Sequence, residues 1–175
     1  MIAAIDVHYP KAGGAFAAAV LFTDHGDSCP AAERVKTLPV VDAYVPGKFF
    51  RRELPCILAL LEDIGDPVEE LIVDGYVMLG EDRPGLGGYL FTALNRRIAV
   101  IGVAKSKFEG APAVEIFRGG SRRPLHVSAA GLALEEAAAK IRSMHGAHRI
   151  PTLLKRVDRL ARQGIRTGVD SRLSG

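Results

Sequence analysis

Three acidic residues stand where a carboxylate has no ordinary structural task. Asp6 interrupts the strand-like run Ile2-Ala3-Ala4-Ile5-Asp6-Val7, and a bare carboxylate in such a segment is costly to bury unless a cation faces it. Asp74 closes Leu71-Ile72-Val73, an unbroken apolar run of the kind that forms a strand buried on both faces. Ligands bind at the C-terminal ends of parallel strands, where Asp74 would lie. Glu53 follows a loop and enters a helix, so it can lean over the same edge if the first and fourth strands are neighbours. Carboxylates converging in this way suit a hard divalent cation such as Mg²⁺, with water and a phosphate completing its octahedron. Plainer readings stand beside each: Asp6 salt-bridged to an arginine, Glu53 solvated on a helix, Asp74 forming the turn of Asp74-Gly75.

The elements that must position these groups can be read from the apolar pattern. Strands are expected over 2–8, 15–23 and 33–41, the first two joined by Gly13-Gly14 as an antiparallel hairpin. Residues 49–64 have helical periodicity, and Pro55 favours a start near Leu54 over a longer helix with a proline inside it. A buried strand at 71–73, a helix over 85–95 and an apolar strand over 98–104 form a strand, helix, strand unit. A hairpin around Gly119-Gly120 pairs 113–118 with 124–128, and helices over 132–144 and 150–163 close the chain. This order predicts an α/β fold, one mixed sheet flanked by helices.

At 175 residues, with 48% apolar and 25% charged residues, the chain is expected to fold as one domain. No apolar run approaches the roughly 20 residues of a membrane span, and no signal-peptide layout precedes the first strand, so a cytoplasmic protein is expected. Cys29 and Cys56 fall in no metal-binding spacing and read as free thiols. The net charge of +3 hides an asymmetry: residues 1–139 hold 14 Lys/Arg against 18 Asp/Glu, and residues 140–175 hold 9 against 2. A basic C-terminal helical segment of this kind either lies along a phosphate backbone or is a solvated helix with a tail.

Several short motifs, in order and spacing, resemble those of the endonuclease V family: Ile5-Asp6-Val7, Tyr44-Val45-Pro46-Gly47, Arg52-Glu53, Asp74-Gly75, Pro84-Gly85-Leu86-Gly87 and Ile101-Gly102-Val103-Ala104-Lys105-Ser106. The resemblance covers most of residues 2–140. It implies a ribonuclease-H-like fold and a Mg²⁺- or Mn²⁺-dependent endonuclease that cuts DNA or RNA near a deaminated base, inosine. It implies that Asp6, Glu53 and Asp74 are metal ligands, and that Lys105 contacts a phosphate or helps the leaving group. Tyr44-Val45-Pro46-Gly47 matches a wedge that props strands apart where the damaged base leaves the stack, a task suited to an aromatic beside a rigid proline. The base pocket falls on Gly75, Tyr76 and Val77 and on Ser106 to Phe108, with Tyr76 and Val77 bulkier than the small residues usual there.

The chain also departs from the family's pattern. Ser128-Ala129-Ala130-Gly131 stands where relatives carry Ser-Pro-Gly-His, whose histidine the resemblance implies joins or supports the metal site, so that histidine is absent; relatives also carry a helical segment before the first strand, whereas Asp6 lies almost at the terminus of this sequence. His8, two residues from Asp6 on the same strand face, is a candidate substitute, and His126 is a rival. These departures leave a second reading, a relative that binds nucleic acid or a partner without cutting it. An unrelated phosphohydrolase on the same fold would leave the wedge-like loop without a task.

Overall fold

Alternation in the first strand decides which helix meets which side chain. The computed structural model describes residues 1–39 and 50–164. Its elements run β1 (Ile2–His8), β2 (Ala15–Phe22), β3 (Ala32–Leu38), α1 (Phe50–Glu62), β4 (Glu70–Asp74), β5 (Met78–Gly80), β6 (Arg83–Pro84), α2 (Leu86–Ala93), β7 (Ala99–Ala104), β8 (Val114–Ile116), β9 (Leu125–Ala130), α3 (Leu134–Ser143) and α4 (Thr152–Gln163). Seven strands form one mixed sheet in the order β3-β2-β1-β4-β7-β9-β8, and β5 and β6 make a small ribbon of their own. The three central strands β1, β4 and β7 are parallel, and the hairpin partners on either side are antiparallel.

Ala3, Ile5 and Val7 of β1 pack with Cys56, Ile57 and Leu60 of α1 and with Leu86 and Leu90 of α2. Ile2 and Ala4 turn to the other face, where Ala137, Ala138 and Ile141 of α3 and Leu153, Val157 and Ala161 of α4 complete a second core. Asp6 continues the Ile2, Ala4 series and so belongs to the α4 side. The alanines of β2, fully buried on both faces, let helices approach the sheet closely.

The expected elements are present, with local differences. The helix expected to start near Leu54 starts at Phe50 and carries Pro55 inside it. Contacts distant in sequence extend it: Phe50 stacks on Tyr89 at 3.7 Å between ring centroids, and the Arg52 guanidinium lies 3.5 Å from the centre of the Tyr9 ring. The helix expected to reach residue 95 ends at Ala93, because Asn95 and Arg96 take left-handed backbone conformations. The strand expected over 33–41 spans Ala32–Leu38, and positions 40 and 41 lie outside the described residues. Cys29 and Cys56 are free thiols, and no described helix is long and apolar enough to cross a membrane.

One buried cation sets the position of α4. Arg118, 8% exposed, donates to the carbonyls of Arg142 (3.3 Å), Gly146 (3.3 Å), His148 (3.1 Å), Arg149 (3.4 Å) and Met144, gathering the α3–α4 connection around one guanidinium. Arg149 then donates from Nη2 to the carbonyls of Lys105 and Pro124. Arg118→Ala is expected to cost about 2–4 kcal/mol, because several carbonyls lose a charged donor at once. Arg118→Lys should recover only part, since an ammonium lacks the planar fork. Urea denaturation measures both; a loss under about 0.5 kcal/mol for the alanine variant would mean that water replaces the guanidinium.

Candidate metal centre

The register of the central strands brings the first two carboxylates together. Ile5 pairs with Val73 across β1 and β4, so the next step along both strands sets Asp6 beside Asp74. Asp74 pairs with Val103 of β7, and Lys105, two residues on, places its Nζ 2.6 Å from Asp74 Oδ2. Glu53 reaches the same edge from α1, on the opposite face of the sheet. All four side chains line one cleft of about 510 Å³.

Burial and like charge raise the pKa of two of these acids. Glu53 is 6% exposed, and burial, followed by the charges of Asp6 and Asp74, pushes its carboxyl up to about 9. Asp6 is pushed up to about 6 by burial, then by Asp74 and Asp158. Burial works against the Lys105 ammonium, yet its hydrogen bond to Asp74 holds its pKa above the ordinary value. Among the described residues, Asp74 has an ion-pair partner and Asp6 and Glu53 have none. Among the described residues, no three His, Cys, Asp or Glu side chains are placed so as to hold one metal ion. Like charges buried together without a counter-ion are unstable unless protonated or neutralised. An oxygen-only donor set of this kind fits a hard divalent cation.

A fourth acid completes the cleft, and sequence reasoning missed it. Asp158 of α4 lines the same cleft, and its charge contributes to the raised pKa of Asp6. Hydrogen bonds from Arg162 at 3.0 and 3.1 Å lower its own carboxyl. The available signal was its isolation: Asp158 is the single acid of α4, among Lys155, Arg156, Arg159 and Arg162.

The histidine position inferred at Gly131 is corrected by the sheet. His126 pairs with Ala104 and Ala130 pairs with Val100, so Gly131 lies beyond the end of β9 remote from Lys105. Its φ is +82°, and a Cβ there would lie 2.8 Å from the Phe91 ring. Its loss therefore removes nothing from the carboxylates. His8 does line the cleft, whereas His126 is buried against Glu115, 3.7 Å away, and is a packed residue.

The other sequence-predicted positions divide. Gly75, with φ +128°, and Tyr76 follow Asp74 into the cleft. The Tyr76 hydroxyl donates to the Ser106 carbonyl at 2.7 Å and accepts from the Phe108 N–H at 3.1 Å. Tyr44, Val45, Pro46 and Gly47 lie outside the described residues, as do positions 165–175. Within the basic segment much of the charge is engaged internally: Lys140 with Glu70 and Glu136, Arg156 with Glu33, and Arg162 with Asp158. Arg142, Lys155 and Arg159 form no ion pair among the described residues, so fewer cations are free to face a phosphate backbone than the sequence count suggests.

Comparison with known proteins bears on the family and the fold. The family model for endonuclease V matches residues 1–150. Streptomyces coelicolor endonuclease V is 29% identical over 94% of this chain and 79% of its own length. The crystal structure of Streptomyces avermitilis endonuclease V superposes with a TM-score of 0.74 at 27% identity, covering 93% of this chain and 79% of that one. A Ciona intestinalis endonuclease V, crystallised with a 24mer DNA containing an inosine followed by a ribo-adenosine, shares the fold with a TM-score of 0.76 at 20% identity, over 93% and 84% of the two chains. A family model that matches residues 1–150, well over half of the chain, makes this chain a member of the endonuclease V family.

Proposed function

We propose that this chain is a Mg²⁺- or Mn²⁺-dependent endonuclease that cuts a phosphodiester bond near a deaminated base in DNA or RNA. The observation that carries the reading is the buried Glu53 and the half-buried Asp6, two acids without an ion-pair partner among the described residues, facing Asp74 at the C-terminal edge of three parallel strands. Asp6, Glu53 and Asp74 would hold the cation, with Asp158 as a fourth carboxylate on its α4 side. When bound, a divalent cation neutralises phosphate charge and lowers the pKa of water.

The chain's own groups have distinct tasks around the phosphate. In hydrolysis, water oxygen joins phosphorus as the bond from phosphorus to the 3′ oxygen breaks, and the leaving oxygen must gain a proton. Lys105, kept charged by Asp74, would donate to a phosphate oxygen or to the leaving oxygen. Gly75, Tyr76, Ser106 and Phe108 would meet a displaced base, and Tyr44 to Gly47 would act as the wedge. Membership of a family in which the Ciona protein holds inosine-containing DNA supports this assignment of substrate.

The test is a nicking assay on single- and double-stranded DNA and RNA, each with and without one inosine, in Mg²⁺, in Mn²⁺ and in chelator. Metal-dependent cutting of at least one strand type is the expected result. Binding of these strands with no cutting in either metal would assign the chain to non-catalytic binding instead.

A further inference from the structure

The carboxylates also stand at the mouth of a second cavity, between α4 and the ends of β1, β4 and β7. Its volume of about 380 Å³ is in the range of small-ligand sites. Asp6, Asp74, Lys105, Asp158 and Arg162 line both this cavity and the cleft that holds Glu53 and Tyr76. A phosphate bound among them therefore has an opening on either side.

Strand alternation gives the second cavity a charged end and an apolar end. Ile72 and Asp74 share one face of β4, and Val103 and Lys105 share the same face of β7, so each charged strand end stands two residues beyond an apolar side chain. On α4, Leu154, Asp158 and Arg162 recur every four residues and repeat the pattern along one stripe. Leu125, Ile150 and Val157 extend the apolar end. Polar contacts hold the roof in place: Arg149 donates to the carbonyls of Lys105 and Pro124, and Thr152 N–H donates to the His145 carbonyl at 2.9 Å. The rim is basic, bordered by His148, Arg149 and Lys155, and Lys155 is exposed. A nucleotide offers the complement of this arrangement, an apolar flat base joined to a sugar with a phosphate on either side.

We infer that the cavity under α4 takes the nucleotide across the scissile phosphate from the displaced base, its base against Val103, Ile150 and Leu154 and its far phosphate near Lys155. The inference rests on the proposed function for the place of the scissile phosphate between the two openings. An apolar floor holds any base by contact area, so this subsite tolerates every sequence. Its test reads binding, so an absence of cutting leaves it standing.

The first probe is a single strand with one inosine and one abasic residue, the abasic residue moved through the positions on either side of the inosine. Binding is measured in Ca²⁺ before any strand is cut. In wild type, one flanking abasic position should weaken binding about tenfold, and exchanging the base there should change it less than about twofold. Leu154→Trp, which fills the cavity, should bind the intact strand as weakly as wild type binds that abasic one. Lys155→Ala, at an exposed site, decides the matter if the tryptophan variant does not fold: it should weaken all strands alike and lower the salt slope by about one. The second probe needs no strand. Adenosine 5′-monophosphate in Ca²⁺ should raise the Tm of wild type by roughly 3–6 °C at ten times its dissociation constant, well beyond the effect of inorganic phosphate, and should leave Leu154→Trp unmoved. That result with no binding of any strand would keep the nucleotide site and sink the proposed function. Bound strands that lose affinity at the inosine alone would overturn the inference. So would equal stabilisation by the nucleotide and by phosphate, a nucleotide response that persists in Leu154→Trp, or unchanged strand affinity in Lys155→Ala.

Discussion

Asp6→Asn and Asp74→Asn are each expected to lower metal-dependent nicking on the order of 10³-fold or more, because each removes one of the charges that hold the cation on which the whole displacement depends. The substitution conserves volume and keeps one oxygen, so packing around β1 and β4 should survive. Asp158→Asn should behave differently. Asp158 reaches the cleft from α4, shares its charge with Arg162, and acts on Asp6 across the site. Its removal should weaken metal affinity and activity by about 10–100-fold, the range of peripheral partners of a metal. Raised Mn²⁺ should rescue Asp158→Asn in part, and neither of the other two variants. Nicking rates against metal concentration, with strand binding measured alongside, distinguish these cases. Wild-type rates in Asp74→Asn would sink the assignment, and a loss in Asp158→Asn as large as in Asp6→Asn would make all four acids equal ligands.

How far this site is legible in the sequence depends on which contact carries each residue. Asp6 and Asp74 declare themselves because a charge breaks or ends an apolar run, and parallel pairing of β1 with β4 converts both signals into adjacency. Glu53 is legible only as an acid at a helix entrance; the longer helix that holds it depends on Phe50 stacking on Tyr89 and Arg52 lying over Tyr9, partners dozens of residues away in the sequence. Asp158 is hidden because a local partner, Arg162 one turn on, already explains an acid in a basic helix. The sheet alone shows that α4 lies over β1 with Asp158 toward Asp6. Gly131 shows the opposite error, in which matching Ser128-Ala129-Ala130-Gly131 to the family's Ser-Pro-Gly-His puts a functional position at the wrong end of a strand. The register of β7 with β9 corrects it. Tyr76 is legible as unusually bulky, whereas its two hydrogen bonds to the loop after β7 depend on a tertiary approach that no local pattern encodes.

In the absence of divalent cations the protein should lose stability as pH rises from about 5 to 9, the reverse of the behaviour of salt-bridged carboxylates. The sign follows from Glu53 and Asp6. Glu53 titrates at about 9 in the folded chain against an ordinary value of 4.5, and Asp6 at about 6 against 3.8. Between each pair of values the folded state keeps a proton that the unfolded state has released, so raising the pH favours unfolding. The Asp6 contribution is complete near pH 6, and that of Glu53 continues toward pH 9. A divalent cation reverses the balance: it needs both groups deprotonated, so the stabilisation it gives grows over the same window. Glu53→Gln fixes the neutral form. In chelator at pH 8 it should raise Tm on the order of 5 °C over wild type, since each pKa unit is about 1.4 kcal/mol of differential interaction. It should also flatten the pH dependence and lose most of the stabilisation by Mg²⁺. Thermal unfolding of wild type and Glu53→Gln at half-unit steps from pH 5 to 9, with chelator and with excess Mg²⁺, gives all three quantities. A Glu53→Gln protein less stable than wild type in chelator throughout that range would show that the Glu53 carboxylate has a cationic partner of the chain's own, and that the cleft needs no metal to hold its acids together.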